Sequence, residues 1–254
     1  MSKSVKTTSL PFETAAELAS LEPFSDHKFA AEADAITSSY LPVLEPLGLA
    51  LGPNTEVVLH NFGCLPNTIV AVYGSVSGRG IGGPATNLGL RNLVRSEPER
   101  SRVGYETVMP NGVLCRSSSV YLFGSYKQPV GAICINTDLS ALRTLRDVVN
   151  GLTSGMPPST EYARSDISSH PQPRERFYTT VDQAAEDILH EAVHAANTLV
   201  GLMSKKQKVN VVAELRERGY FLLKGSVELA AEALDVTRYT VYTYLNESKD
   251  DVEV

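Results

Sequence analysis

The sequence predicts an α+β domain joined through a linker and one helix to an all-α helix-turn-helix domain. Three observations carry this: four β-rich segments divided by turn chemistry in the first 150 residues, a proline- and serine-rich stretch after them, and two short helical patterns meeting at a two-residue corner near the C-terminus. Composition agrees, since 254 residues with 43% hydrophobic, 20% charged and 7% aromatic side chains can bury one or two ordinary cores. The same balance excludes collagen-like, coiled-coil-only and wholly disordered chains. With 23 Lys and Arg against 29 Asp and Glu, the net charge of −6 leaves no basic field over the whole molecule, so any nucleic-acid surface must be local.

Residues 1–29 read as an N-terminal extension and 30–150 as the α+β domain. From Phe29 to Gly48 the apolar spacing is helical but broken by Pro42 and Pro46, and Gly52-Pro53 makes a turn. Glu56 to Phe62, Thr68 to Val76, Leu114 to Phe123 and Val130 to Thr137 have the length and Val/Ile/Tyr content of strands in an antiparallel sheet. Turns separate them at Pro110-Asn111-Gly112 and over Tyr126 to Pro129, and Pro84 to Val94 reads as a helix through Leu88, Leu90, Leu93 and Val94. Prolines 157, 158, 171 and 173 among Ser, Thr and charges mark 151–180 as a linker. Residues 181–203 carry a broad apolar stripe, including Ala185, Ile188, Ala192, Leu199 and Met203, suited to a connecting or dimerising helix. The helix-turn-helix occupies 204–246, and 247–254 is an acidic tail.

Cys64, Cys115 and Cys134 lie far apart without a CxxC pair, which supports neither a disulfide framework nor a thiolate zinc site. No segment reaches the roughly 18 uninterrupted apolar residues of a membrane span, so a cytoplasmic protein without membrane contact is expected.

The C-terminal corner is the most informative feature. Val227, Ala230, Ala231 and Leu234 form the inner face of one short helix, and Val241 and Leu245 that of the next. Only Asp235 and Val236 stand between them before Thr237, whose hydroxyl suits an N-cap. Asp235 occupies a place where glycine is common because φ can be positive. In a helix-turn-helix the second helix enters the major groove by its first residues. Arg238 could then reach a guanine edge, Tyr239 a base or methyl group, and Thr237, Thr240 and Tyr242 phosphate oxygens, with Thr243 on the same outward side. Residues 201–245 hold seven Lys or Arg and five acids, a local excess of positive charge in an acidic chain. The plain alternative is a helical hairpin with an Ala/Val/Leu core.

The run Gly219 to Gly225, followed by Val227, Ala231, Leu234, Val236, Thr237-Arg238, Thr240 to Tyr242 and Tyr244-Leu245, resembles the DNA-binding module of YheO-like, DauR-type transcriptional regulators. The N-terminal half resembles that family's PAS-like sensor through Gly52 to His60, Gly78-Arg79, Pro84 to Leu90, Gly131 to Asn136 and Asp138 to Ser140. Most of residues 45–246 is covered. The resemblance implies a one-component regulator without catalytic activity, often a repressor of amino-acid or related small-molecule catabolism, whose sensor alters DNA affinity. It implies double-stranded DNA and a small-molecule effector as partners, and no cofactor. A homodimer or higher homo-oligomer is expected because one helix-turn-helix reads few base pairs.

Within the sensor, His60, Arg79, Thr86 and Asn136 are polar residues in or beside apolar strands and a glycine loop, and are the candidate ligand-binding residues. Arg79 would engage an anionic group bidentately. A lone strand histidine is more often a satisfied core group. Gly78 to Gly83 fits GxGxxG, but Pro84 follows and no βαβ unit surrounds it. His190-Glu191-x-x-His194 fits HExxH, with Glu214 as a conceivable third ligand, so a zinc-dependent hydrolase is the alternative function. Against it, both histidines fall opposite the apolar stripe, and Glu214 lies in the first helix of the DNA-binding module. A third reading is a sensor that acts through protein partners.

Overall fold

Helices α1 (His27–Ser38) and α2 (Leu41–Leu51) come first among the described residues, and Pro42 sits in the first turn of α2, where its missing amide costs no helical bond. The computed structural model describes residues 27–125, 127–154 and 175–250. Nearly all of the N-terminal extension, Tyr126, most of the linker and the end of the acidic tail lie outside the described residues.

Five strands follow: β1 (Thr55–Asn61), β2 (Ile69–Tyr73), β3 (Ser101–Val108), β4 (Leu114–Phe123) and β5 (Pro129–Asp138). They form one antiparallel sheet in the order β2-β1-β5-β4-β3. The four β-rich segments of the sequence become β1, β2, β4 and β5. β3 is the addition. It is an edge strand whose inward residues Arg102, Tyr105 and Thr107 are polar and which bulges at Gly104 (φ 73°), so no apolar alternation marks it.

Ladder partners point to the same side, and this divides the sheet into two different faces. Val57, Leu59, Ile133 and Ile135 face α1 and α2 in an apolar core with Phe29, Ala33 and Leu44. The opposite face carries Glu56, His60, Asn136, Ser117 and Ser119, all buried although polar. Over it lie residues 74–86, the short helix α3 (Asn87–Leu93) and the segment from Glu175 to Tyr178. α3 starts three residues later than the predicted Pro84, because Thr86 accepts a hydrogen bond from the Gly89 amide and caps it.

Helix α4 (Ser140–Thr153) extends past the predicted domain boundary at 150 and has no buried residue. α5 (Val181–Ala195) is shorter than the predicted 181–203: Asn197 turns left-handed (φ 48°) and a 3-10 turn occupies Val200–Leu202. Its stripe residues Ala185, Ile188 and Ala192, with Ala184, pack inside this same chain, whereas Leu199 is exposed. α6 (Lys205–Glu217), α7 (Ser226–Ala233) and α8 (Arg238–Asp250) complete the C-terminal bundle. A capping box between Ser204 and Gln207 starts α6.

The two domains share one hydrophobic cluster, and α3 is the contact. A Cβ on Gly219 would stand 2.5 Å from the carbonyl oxygen of Leu90, and Gly219 also has a positive φ of 72°, so only glycine fits this seam. No helix among the described residues is long and apolar enough to cross a membrane.

Candidate DNA interface and sensor interior

The corner between α7 and α8 has the predicted turn. Asp235 takes a φ of 50°, and the Val236 amide bonds back to the carbonyl of Ala231 at 3.0 Å. Leu234, Val241 and Leu245 are buried between the helices. Lys208 of α6 donates to the Leu234 carbonyl at 2.7 Å, supplying a partner to the C-terminal end of α7. That cap joins residues 26 positions apart, so no local pattern announces it.

At the start of α8 the Thr240 amide donates to the Thr237 hydroxyl at 3.1 Å, the predicted N-cap. Thr237, Arg238 and Tyr239 are exposed, Tyr239 at 73%. Thr240, Tyr242 and Thr243 are half-buried. The ring of Tyr242 leans on the core, the Thr240 hydroxyl lies 2.8 Å from that of Thr237, and the Thr243 hydroxyl donates to the Tyr239 carbonyl. Thr237, Arg238 and Tyr239 therefore form the foremost part of the surface, with the other three behind it. Arg238 is not free: its guanidinium donates to Glu228 of α7 at 2.7 Å.

The four candidate ligand residues are all buried on or against the polar face of the sheet. Asn136 is the centre of a hydrogen-bonded chain crossing four strands. Its amide nitrogen donates to Glu56 at 3.1 Å, its oxygen accepts from Ser117 at 2.8 Å, and Ser117 is 2.6 Å from Thr107. Glu56 also accepts from the amide and hydroxyl of Ser77. His60 Nδ1 lies 2.8 Å from the Thr68 hydroxyl, and burial, aided by the Arg79 charge, holds its pKa well below the ordinary histidine value.

Arg79 extends inward from the glycine loop. It donates through Nη2 to the Pro84 carbonyl and stacks on Phe177, its guanidinium carbon 5.6 Å from the ring centroid. The loop glycines serve the turn rather than a nucleotide: Gly78 and Gly82 have positive φ, and Gly82 donates to the carbonyl of Ile69. Thr86 is doubly engaged, capping α3 and donating to Glu175 at 2.8 Å. Beside this network, between α3 and the sheet, lies a cavity of about 60 Å³ whose lining includes Arg91, Arg102, Tyr105 and Tyr121 but none of the four candidates. Burial pushes the Cys134 thiol on the same face up to about 11.

Glu175, Tyr105 and Ser117 are interior polar residues with no counterpart among the sequence candidates. Tyr105 and Ser117 lie in strands whose partners are unknown without the fold, and Glu175 sits in a stretch that reads as linker. All three cysteines are free thiols.

The HExxH residues have structural partners. Glu191 pairs with Arg176 and, at 2.9 Å, with Arg218, and Arg218 also pairs with Glu214 at 2.7 Å. Glu214 reaches Arg91 of α3 at 3.9 Å, so the ion pairs run from one domain to the other around a cleft of about 210 Å³. His190 and His194 are exposed and stack on each other, and no group of three or more metal-ligating side chains occurs among the described residues. The geometry gives the hydrolase alternative no support.

Comparison with known proteins agrees with this division. A YheO-like PAS domain model matches residues 31–154 and a helix-turn-helix domain model matches 184–246, the latter taking in α5 as well as α6 to α8. An uncharacterised protein of Haemophilus influenzae is 26% identical over 232 residues, covering 91% of this chain and 97% of its own. YheO of Escherichia coli is 26% identical over 217 residues, 84% of this chain and 85% of its own. The transcriptional regulator DauR of Pseudomonas aeruginosa is 24% identical over 218 residues, 85% of this chain and 96% of its own. No solved structure matches the chain. Residues 31–154 are thus a YheO-like PAS domain and residues 184–246 a helix-turn-helix domain.

Proposed function

We propose that this protein is a DNA-binding transcriptional regulator, acting as a repressor, whose PAS domain senses a small amino-acid-related metabolite and alters operator binding. The observation that carries the reading is the outward face of α8, where Thr237, Arg238 and Tyr239 are exposed together at the start of a capped second helix. The similarity to DauR, a transcriptional regulator, supports it. The repressor sense and the metabolite class rest on the family resemblance. The polar interior around His60, Arg79, Thr86 and Asn136 is the proposed effector region, because a buried polar sheet face offers directional partners that an apolar core lacks.

A second copy of the chain completes the reader. α4 presents Leu142, Leu145, Val149 and Leu152 to solvent, a stripe at helical spacing with no intramolecular cover among the described residues, and paired half-sites need two readers. α5 is a poorer dimer helix, since its stripe is packed within its own chain.

A gel shift against DNA upstream of the protein's own coding sequence, with salt titration, tests the reading. Specific binding should weaken steeply with salt, and Arg238→Ala should cost about 10- to 100-fold in specific affinity while leaving non-specific binding nearly unchanged. Equal affinity for that duplex and for random DNA would overturn it.

A further inference from the structure

We propose that Glu175 is the resident occupant of a carboxylate site built on Arg79, and that a carboxylate-bearing effector acts by displacing it. The inference rests on the sensor reading above and adds both the chemistry of the ligand and the part of the chain that moves.

Glu175 does not belong to the sheet domain by sequence. It lies beyond α4 and six residues before α5, yet it is buried to 8% exposure against the polar face of the sheet. Thr86 donates to its Oε1 at 2.8 Å, while Oε2 has no hydrogen-bond partner. Arg79, 5% exposed, likewise has a buried Nε without a partner. The two groups feel each other's charge, but no ion pair within the 4 Å range joins them. Burial holds the Glu175 carboxyl above its ordinary pKa, against the opposing pull of the Thr86 and Tyr105 hydroxyls and of Arg79.

A buried arginine and a buried carboxylate that served only stability would meet in a bidentate pair, because each unpaired charged atom in the interior is costly. Here both are held in one interior with an unmet donor on one and an unmet acceptor on the other. A free carboxylate, unconstrained by a backbone, could approach Nε as Glu175 does not.

The residues after Glu175 explain how displacement would be felt. Arg176 donates its amide to Asn87 at 2.7 Å and pairs with Glu191 of α5, Phe177 lies under Arg79, and Tyr178 is buried. Glu191 connects through Arg218 to α6. Removing Glu175 from its place loosens a strap tied at once to α3 and to the DNA-binding bundle.

Chemical rescue in the full-length protein tests this without knowledge of the natural effector. Glu175→Ala leaves a space of the size and charge of acetate. Its melting temperature should fall, and acetate should raise it by on the order of 3 °C at saturation, while acetamide and chloride at matched concentration should not. Acetate should have no such effect on the wild-type protein, whose site is filled, or on the Arg79→Met/Glu175→Ala variant, which lacks the cation. An acetate effect no larger than that of acetamide, or one that survives loss of Arg79, overturns the proposal. If Glu175→Ala does not fold, Glu175→Gln keeps the shape without the charge, and hydrogen exchange at residues 176–180 should rise; unchanged protection overturns the proposal. These measurements need no DNA. Failure of rescue with specific duplex binding intact rejects the plug alone, whereas loss of specific duplex binding with rescue intact rejects the DNA-reading assignment.

Discussion

The C-terminal domain carries its polar chemistry on the surface around an apolar core, whereas the N-terminal domain buries polar chemistry on one face of its sheet. Leu234, Val241 and Leu245 sit inside the former and Arg238 and Tyr239 outside. Glu56, Asn136, Ser117, Arg79 and Glu175 sit inside the latter. On the proposed function, the difference follows from what each domain would touch. A duplex offers phosphates and base edges to a protruding helix, but a small molecule has to be enclosed, so its partners must be interior and held by hydrogen bonds.

The comparison can be broken by substituting one central residue on each side. Leu234→Ala empties a fully buried site and should cost about 2–5 kcal/mol, with specific DNA binding lost at the temperature where the bundle loosens. Asn136→Ala should cost less, about 1–3 kcal/mol, since it removes one of the two hydrogen bonds at Glu56 Oε1 and one of the two at the Ser117 hydroxyl without removing much apolar area. Urea denaturation followed by circular dichroism measures both. An Asn136→Ala protein as stable as the wild type would mean that the chain across the strands holds nothing together.

The next effect is smaller and depends on pH. His60 is kept neutral by burial and by Arg79, so its folded pKa is below its unfolded value of about 6.5. The unfolded chain then takes up a proton that the folded chain refuses. Stability present above the unfolded pKa is lost as the pH falls toward the folded one. The wild type should be less stable at pH 5 than at pH 7, and His60→Asn should flatten that slope. Glu175 works in the opposite sense: its raised pKa favours the folded state at low pH and loses that contribution as the carboxyl ionises. The difference between wild type and His60→Asn isolates the histidine, and an identical slope in the two proteins would refute its role.

The same contrast explains what the sequence discloses. The corner at Asp235, the Thr237 cap and the outward face of α8 occupy a dozen consecutive residues, where helical spacing and capping chemistry act locally. The four apolar strands are legible for a similar reason. Edge strand β3 is not, because its inward residues Arg102, Tyr105 and Thr107 are polar and the bulge at Gly104 breaks the alternation. α4 is hard to read as a boundary helix because it lies apolar side outward. Glu175 reads as linker because its burial is decided by Thr86, 89 residues away. His60, Arg79, Thr86 and Asn136 can be singled out as polar residues in apolar surroundings. Their separate partners, Thr68, Pro84, Glu175 and Glu56, come only from the fold.

Arg238 and Glu228 give the finest test of the surface half of the contrast. They pair at 2.7 Å with both side chains more than half exposed, where solvent and salt leave such a pair little influence on folding. Toward DNA the same pair matters more, because Glu228 adds a negative charge beside the phosphates and occupies the guanidinium proposed to read a base. Glu228→Gln should leave the unfolding midpoint in place and tighten binding severalfold at low salt, with the gain shrinking as salt is raised. Weaker binding would instead make Glu228 the group that orients Arg238 toward the groove. Unchanged binding would take Arg238 out of the interface and leave recognition to Thr237 and Tyr239.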